Sequence, residues 1–157
     1  MLNPVKLDKA DKQILFELQS NSRQSNQELA DKIGISTAAC WRRVRALENN
    51  GVIKRYAAIL EPGALGMGQC LFAHVRLEKH TEESTLKFVA AIQERPEVME
   101  CYAVTGDFDY ILRIVAADVA AYDNFLRSFL FKLPGIAQVQ SNMALREIKF
   151  DTALPIT

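Results

Sequence analysis

The chain has 157 residues, of which 49% are hydrophobic and 24% charged, with seven Gly and five Pro. This length excludes a large multidomain enzyme, and the composition supplies apolar material for a real core with little left for disordered tracts. No apolar run approaches the roughly 20 residues that cross a bilayer. The start, Met1-Leu2-Asn3-Pro4-Val5-Lys6, lacks the apolar stretch of a signal peptide, so no membrane partner is expected and the cytoplasm is the expected location.

Lys+Arg and Asp+Glu both number 19, yet they are not evenly spread. Residues 1–62 carry ten basic and seven acidic side chains, whereas 63–157 carry nine and twelve, which reads as a basic module joined to an acidic one. The join falls at Glu61-Pro62-Gly63-Ala64-Leu65-Gly66-Met67-Gly68, where a proline and three glycines lie within eight residues. The expected division is therefore 1–62, a linker over 63–68, and 69–157. Cys40, Cys70 and Cys101 form no C-x-x-C pair, and His74 and His80 are the two histidines. Neither a metal nor a cofactor is expected, and the thiols read as reduced.

In the first module Asp8 is a candidate N-cap, followed by Ile14, Leu15 and Leu18 at helical spacing up to the polar break Ser20-Asn21-Ser22. Ser25-Asn26-Gln27-Glu28 is a capping box that opens a short second helix with Leu29, Ala30 and Ile33 on one face. Gly34 suits the turn that ends it, Ile35 can plug the core, and Ser36 can cap a third helix running to about Asn50-Gly51. On that helix Cys40, Val44 and Leu47 face inward, leaving Thr37, Ala38, Trp41, Arg42 and Arg45 outward. Two helices joined by a Gly-containing turn, the second cationic on its exposed face, form a helix-turn-helix whose second helix fits a DNA major groove ~12 Å wide. The run Val52 to Ile59 reads as extended, with Lys54 and Arg55 as a basic wing. Double-stranded DNA is the expected partner, met by Ser36, Thr37, Ala38, Trp41, Arg42, Arg43, Arg45, Lys54 and Arg55. Within this set Arg42 reads a base edge and Arg43, Arg45, Lys54 and Arg55 mostly meet phosphates.

From Gln69 the period changes. Strands are expected over Cys70 to Glu78, Val98 to Thr105, Asp109 to Ala116 and Ile136 to about Glu147. Helices are expected over Thr81 to Glu94, with Leu86, Val89 and Ala90 inward, and over Asp118 to Lys132, with Val119, Tyr122, Phe125, Leu126, Phe129 and Leu133 inward. Pro96-Glu97-Val98 recurs 38 residues later as Pro134-Gly135-Ile136. Two βαβ units of this kind make a ferredoxin-like βαββαβ sandwich, so the fold class is α+β: a winged helix-turn-helix followed by that sandwich. Its sheet has helices on one face only, and the bare face calls for a second copy of the chain.

The stretch from Gly34 to Glu48 (Gly-Ile-Ser-Thr-Ala-Ala-Cys-Trp-Arg-Arg-Val-Arg-Ala-Leu-Glu) and the stretch Val104-Thr105-Gly106-Asp107-Phe108-Asp109-Tyr110 resemble the leucine-responsive and asparagine-regulator (Lrp/AsnC, feast/famine) family. The resemblance covers nearly the whole chain. It implies a transcription regulator that is a homodimer assembling to an octamer, binds DNA through the first module, and senses a small molecule, commonly an amino acid, through the second. It also implies an effector pocket between subunits near the Gly-Asp loop, carried by Thr105, Gly106, Asp107 and Asp109, with Ala103, Val104, Ser141 and Met143 as walls. A zwitterion needs an acceptor for its ammonium and donors for its carboxylate, which a glycine turn beside two carboxylates can offer. Two plainer roles stand beside this one: Asp107 as a turn residue, and Asp109 as a start-of-strand residue paired to a base.

Two rival readings belong to other classes. An enzyme would use Asp107 and Asp109 as an acid/base pair with His74 as proton carrier, but no nucleophile and base can be identified and His74 alternates as an ordinary strand residue does. No phosphate-binding G-x-x-x-x-G-K-[ST] occurs either. An architectural protein would bend DNA around a disc of helix-turn-helix pairs without any ligand.

Overall fold

The computed structural model describes residues 5–79 and 81–156. His80, weighed above as a metal ligand, and the outermost ends of the two expected modules lie outside them. The described residues form two compact units, one of 5–59 with 149–156 and one of 60–148. Residues from Lys149 onward, expected in the second module, thus belong with the first. No helix is long and apolar enough to cross a membrane among the described residues.

The first unit is three helices, α1 (Lys9–Ser20), α2 (Asn26–Ile33) and α3 (Thr37–Asn49). Each starts where a short polar side chain can accept an otherwise orphaned backbone N–H. Asp8 and Asp11 cap one another's N–H groups at 2.9 and 3.2 Å, so the first helix also has a capping box, built from two aspartates. Ser25 and Glu28 make the second box, and the Ser36 hydroxyl accepts from the Ala39 N–H to open α3. Gly34 ends α2 at φ +73°, a left-handed conformation that glycine enters without Cβ strain. The buried residues are those expected from the spacing: Ile14, Leu15, Leu18, Leu29, Ala30, Cys40, Val44 and Leu47, with Leu7, Ile33 and Ile35 packed against them. After α3 the N–H groups of Val52 and Ile53 both reach the Leu47 carbonyl, folding those two side chains onto the core. Residues 54–60 carry no strand in the single chain, so the wing is an exposed unpaired stretch rather than a ladder.

The second unit runs β1 (Gln69–Leu77), α4 (Glu82–Gln93), β2 (Val98–Ala103), β3 (Tyr110–Ala116), α5 (Val119–Ser128) and β4 (Ile136–Met143). The strands form one antiparallel sheet in the order β2-β3-β1-β4, the ferredoxin-like arrangement. Val98 and Ile136, the repeated punctuation, each open a strand. Both helices cover the face that carries Leu71, Ala73, Val75 and Leu77 of β1 and Tyr110, Leu112 and Ile114 of β3. The other face carries Cys70, Phe72, His74 and Arg76, all half-exposed.

Several details differ from expectation. In α4 the inward residues are Phe88 and Ile92 with Val89 beside them, while Leu86 is 61% exposed and Ala90 also faces out. Leu86 lies two residues, about 200°, around the helix from Phe88, and the larger ring takes the core position. In α5 Val119 is exposed, Tyr122 and Phe125 are buried, and Leu130 is fully buried just beyond. That helix ends at Ser128 because Phe129 leaves helical geometry, and a short 3₁₀ turn over Leu130–Lys132 follows. The second strand stops at Ala103 and the fourth at Met143, both earlier than the apolar pattern predicts.

Candidate functional site

In the first unit the α2–α3 pair presents one exposed face. The Gly34 and Ile35 N–H groups both bond the Ala30 carbonyl, which fixes the turn, and fully buried Ala30 has no bulk to hold the two helices apart. With Cys40, Val44 and Leu47 inward, Ala38, Trp41, Arg42 and Arg45 are exposed on α3 and Thr37 is half-exposed. Trp41 stands 53% exposed with the Arg45 guanidinium 5.9 Å from its ring centre, and Arg45 also meets Glu48 at 3.3 Å. The Thr37 hydroxyl donates to Gln27 Oε1 at 2.5 Å, tying the start of α3 to α2. Arg42 is exposed and has no hydrogen bond or ion pair among the described residues. Lys54 and Arg55 are exposed on the stretch that follows α3.

Arg43 is placed differently from its neighbour. Its Nη1 donates to Asp8 Oδ2 at 2.8 Å and to Asp11 Oδ1 at 2.7 Å, so it clamps α3 to the N-terminus of α1. The Asp11 N–H and the Arg43 guanidinium together hold the Asp8 carboxyl below its ordinary range. Arg43, expected to meet a phosphate, is thus engaged within the unit, because a step of one residue turns a helical side chain by about 100° away from Arg42. The Ser36 hydroxyl is likewise engaged, as the α3 cap.

In the second unit the turn between β2 and β3 borders an open concavity of about 760 Å³ on the sheet face away from the helices. The turn supplies Ala103, Val104, Thr105, Asp107 and Phe108; the sheet supplies His74, Ile111 and Gln140, which share one row because both Ile111 and Gln140 pair with His74. The turn is closed by the Val104 N–H on the Asp109 carbonyl and passes through Gly106 at φ +115°. Arg76 pins it to β1, donating from Nε to the Asp107 carbonyl at 2.6 Å with its guanidinium 5.3 Å from the Phe108 ring centre. The His74 ring centre lies 5.5 Å from that of Phe108, the two rings tilted to each other.

Of the effector residues expected in this region, Ala103, Val104, Thr105 and Asp107 line the concavity, and Gly106 shapes its rim. Asp109 does not line it: its carboxylate accepts the Leu77 N–H at 2.7 Å and its own N–H bonds the Val75 carbonyl, which prolongs the β1–β3 ladder by one step. Ser141 and Met143 pair with Ala73 and Leu71, so within one chain they lie on the helix-covered face, opposite to the concavity. The Ser141 hydroxyl meets the Tyr122 hydroxyl at 2.5 Å, and burial pushes Tyr122 above its ordinary pKa, with that hydrogen bond drawing it back. The sequence reasoning missed Phe108, Ile111 and Gln140 and left His74 as structural. Alternation along β1 signals the face of His74, but Gln140 is identified only by the β1–β4 register.

Comparison with known proteins finds a separate family model for each part of the chain. Residues 7–54 match the winged helix-turn-helix DNA-binding family model, and residues 70–154 match the Lrp/AsnC ligand binding domain. The DNA-binding transcriptional activator DecR of Escherichia coli K12 is 35% identical over 150 residues, covering 96% of this chain and 99% of DecR. A crystal structure of an AsnC family transcriptional regulator from Agrobacterium tumefaciens superposes with a TM-score of 0.90 at 40% identity, covering 95% of this chain and 97% of that one. A Neisseria meningitidis transcriptional regulator, solved as a complex with L-Met, superposes with the same TM-score at 36% identity, covering 96% and 97%. The chain described here belongs to the Lrp/AsnC family of DNA-binding transcription regulators.

Proposed function

We propose that this chain works in the cytoplasm as a homodimer, assembling to an octamer, that reads an operator through α3 and adjusts its grip when an amino acid occupies the concavity beside Gly106. The observation that carries the reading half is the exposed α3 face, where an unengaged Arg42 stands beside Trp41 and Arg45. Arg42 is the base-edge reader, since a guanidinium offers the paired donors that match guanine in the major groove. Thr37, Ala38 and Trp41 supply close contact around it. Arg45, Lys54 and Arg55 meet phosphates and set the position on the duplex.

The sensing half is supported by the chemistry of the concavity and by the L-Met bound to the Neisseria relative. Asp107 offers a carboxylate for an ammonium, backbone N–H groups around Gly106 suit a carboxylate, and Ala103, Val104 and Ile111 form an apolar wall for a side chain. Asp109 holds the Leu77 N–H and Ser141 and Met143 lie on the opposite sheet face, so none of the three touches the effector from the same chain. Dimerisation through the bare sheet face is supported by Phe72, His74 and Ile111, apolar and aromatic groups on a surface that no helix of the unit covers.

The test is a thermal-shift screen of the twenty amino acids, L-methionine first, because a ligand at 100 times its Kd adds about 2.7 kcal/mol of stability. At least one amino acid is expected to raise Tm, and Asp107→Ala is expected to abolish that rise without lowering Tm in the free protein. If no amino acid raises Tm, the sensing half is wrong and the chain is a ligand-independent organiser of DNA.

A further inference from the structure

We infer that the C-terminal tail is a clasp on the reading unit: Leu154 and Ile156 dock on α1, so the reading unit is fastened to the rest of the chain at two points instead of one. The chain leaves the first unit after residue 59 and returns to it at residue 149. Its return is held by Gln19, whose Nε2 donates to the Leu154 carbonyl at 3.2 Å while its Oε1 accepts the Leu154 N–H at 2.6 Å. One side-chain amide thus satisfies both backbone groups of a residue 135 positions away, as a neighbouring strand would. Ile156 packs against the core that Ile14, Leu15 and Leu18 of α1 help to build. The Leu154 side chain itself is 71% exposed, so the backbone and Ile156 make the contact.

The docked tail is also held by bonds of its own. Asp151 accepts the Ala153 N–H at 2.8 Å, an Asx turn, and the Ile156 N–H bonds the Leu154 carbonyl across Pro155, whose fixed φ suits that three-residue turn. Such local fixing lowers the entropy lost on docking. A second fastening narrows the range of positions open to each reading unit, which favours simultaneous engagement of two half-sites. This last consequence rests on the dimer proposed above; the docking itself does not.

Amide hydrogen exchange on the full chain tests the docking. In the wild type the Leu154 N–H, held by Gln19, is expected to exchange at least ~10-fold slower than in a free peptide of residues 150–157, because exchange needs the clasp to open. Gln19→Ala is expected to erase the Leu154 protection while α2 and α3 stay protected, and Ile156→Ser to do the same through lost packing. On a duplex with two half-sites, selected from a random pool, both variants are expected to bind at least ~3-fold more weakly, with affinity for one half-site unchanged. Peptide-like exchange at Leu154 in the wild type overturns the clasp, and wild-type affinity of both variants for the paired site overturns its effect on half-site engagement. Sedimentation of the same samples separates the two ideas: a monomeric wild type refutes the dimer, and the exchange result then decides the clasp alone.

Discussion

The two units of this chain reach stability by different routes. The reading unit buries eight residues in its main cluster and defines its helices by contacts within three or four residues: two capping boxes, a serine cap and a left-handed glycine. The sensing unit buries twelve and is organised by strand pairing between residues far apart in sequence, such as Leu71 with both Ile114 and Met143. A small core leaves its unit dependent on caps and clamps at its edges, whereas a larger one depends on its interior.

That contrast can be broken most forcefully in the sensing unit. Phe88 is 2% exposed and its ring centre lies 4.6 Å from that of Tyr110, so Phe88→Ala is expected to cost about 3–5 kcal/mol through lost burial and a residual cavity. Leu86→Ala, two positions away on the exposed side, is expected to stay within about 0.5 kcal/mol. Urea unfolding of both variants measures the difference, and equal losses would mean that the α4 face is wrongly placed. In the reading unit a smaller effect is expected at the turn. Gly34→Val forces a β-branched residue to φ +73° and is expected to cost about 1–2 kcal/mol even though a Cβ there would meet nothing within 4 Å. Ser25→Ala removes one cap and is expected to cost about 1 kcal/mol by the same measurement.

Acid sharpens the comparison. The Asp8 carboxyl is held below 3.8 by the Asp11 N–H and Arg43, and the Glu28 carboxyl below 4.5 by the Ser25 N–H and hydroxyl. A lowered folded pKa means stability that is fully present above the ordinary value and is lost as pH falls through the folded one. Both capping boxes should therefore weaken below about pH 4. The sensing unit has one such carboxyl among the described residues, Glu83, lowered by its exposed pairing with Lys87. Amide exchange followed from pH 6 downward is expected to show α1 and α2 opening before the sheet. Simultaneous opening would contradict the division.

How much of this was legible in the sequence follows the same line. The three helices of the reading unit, their caps and their buried residues were readable because each signal lies within one turn of its partner. So was the βαββαβ order, through its repeated Pro96 and Pro134 punctuation. Features that need a distant partner were not readable. Arg43 differs from Arg42 only by meeting Asp8 and Asp11 on another helix. Ser141 and Met143 lie away from the concavity because of a register that alternation alone does not set, while Gln140 lies in it. In α4, Leu86 and Phe88 compete for one core position and apolarity alone does not choose between them. The tail was assigned by its place after β4, but Gln19 draws it to the other unit.

The adjacent arginines of α3 divide the work under the proposed function: Arg42 reads DNA while Arg43 braces the helix from behind. The most direct measurement is binding of Arg42→Ala and Arg43→Ala to a panel of duplexes, each differing from the best binder at one base pair, alongside thermal melts of both proteins. Arg42→Ala is expected to keep the wild-type Tm and lose about 1–3 kcal/mol of discrimination at a single base pair. Arg43→Ala is expected to lower Tm while keeping its base preference. A stable Arg43→Ala protein, or an Arg42→Ala protein with its base preference intact, would contradict the account.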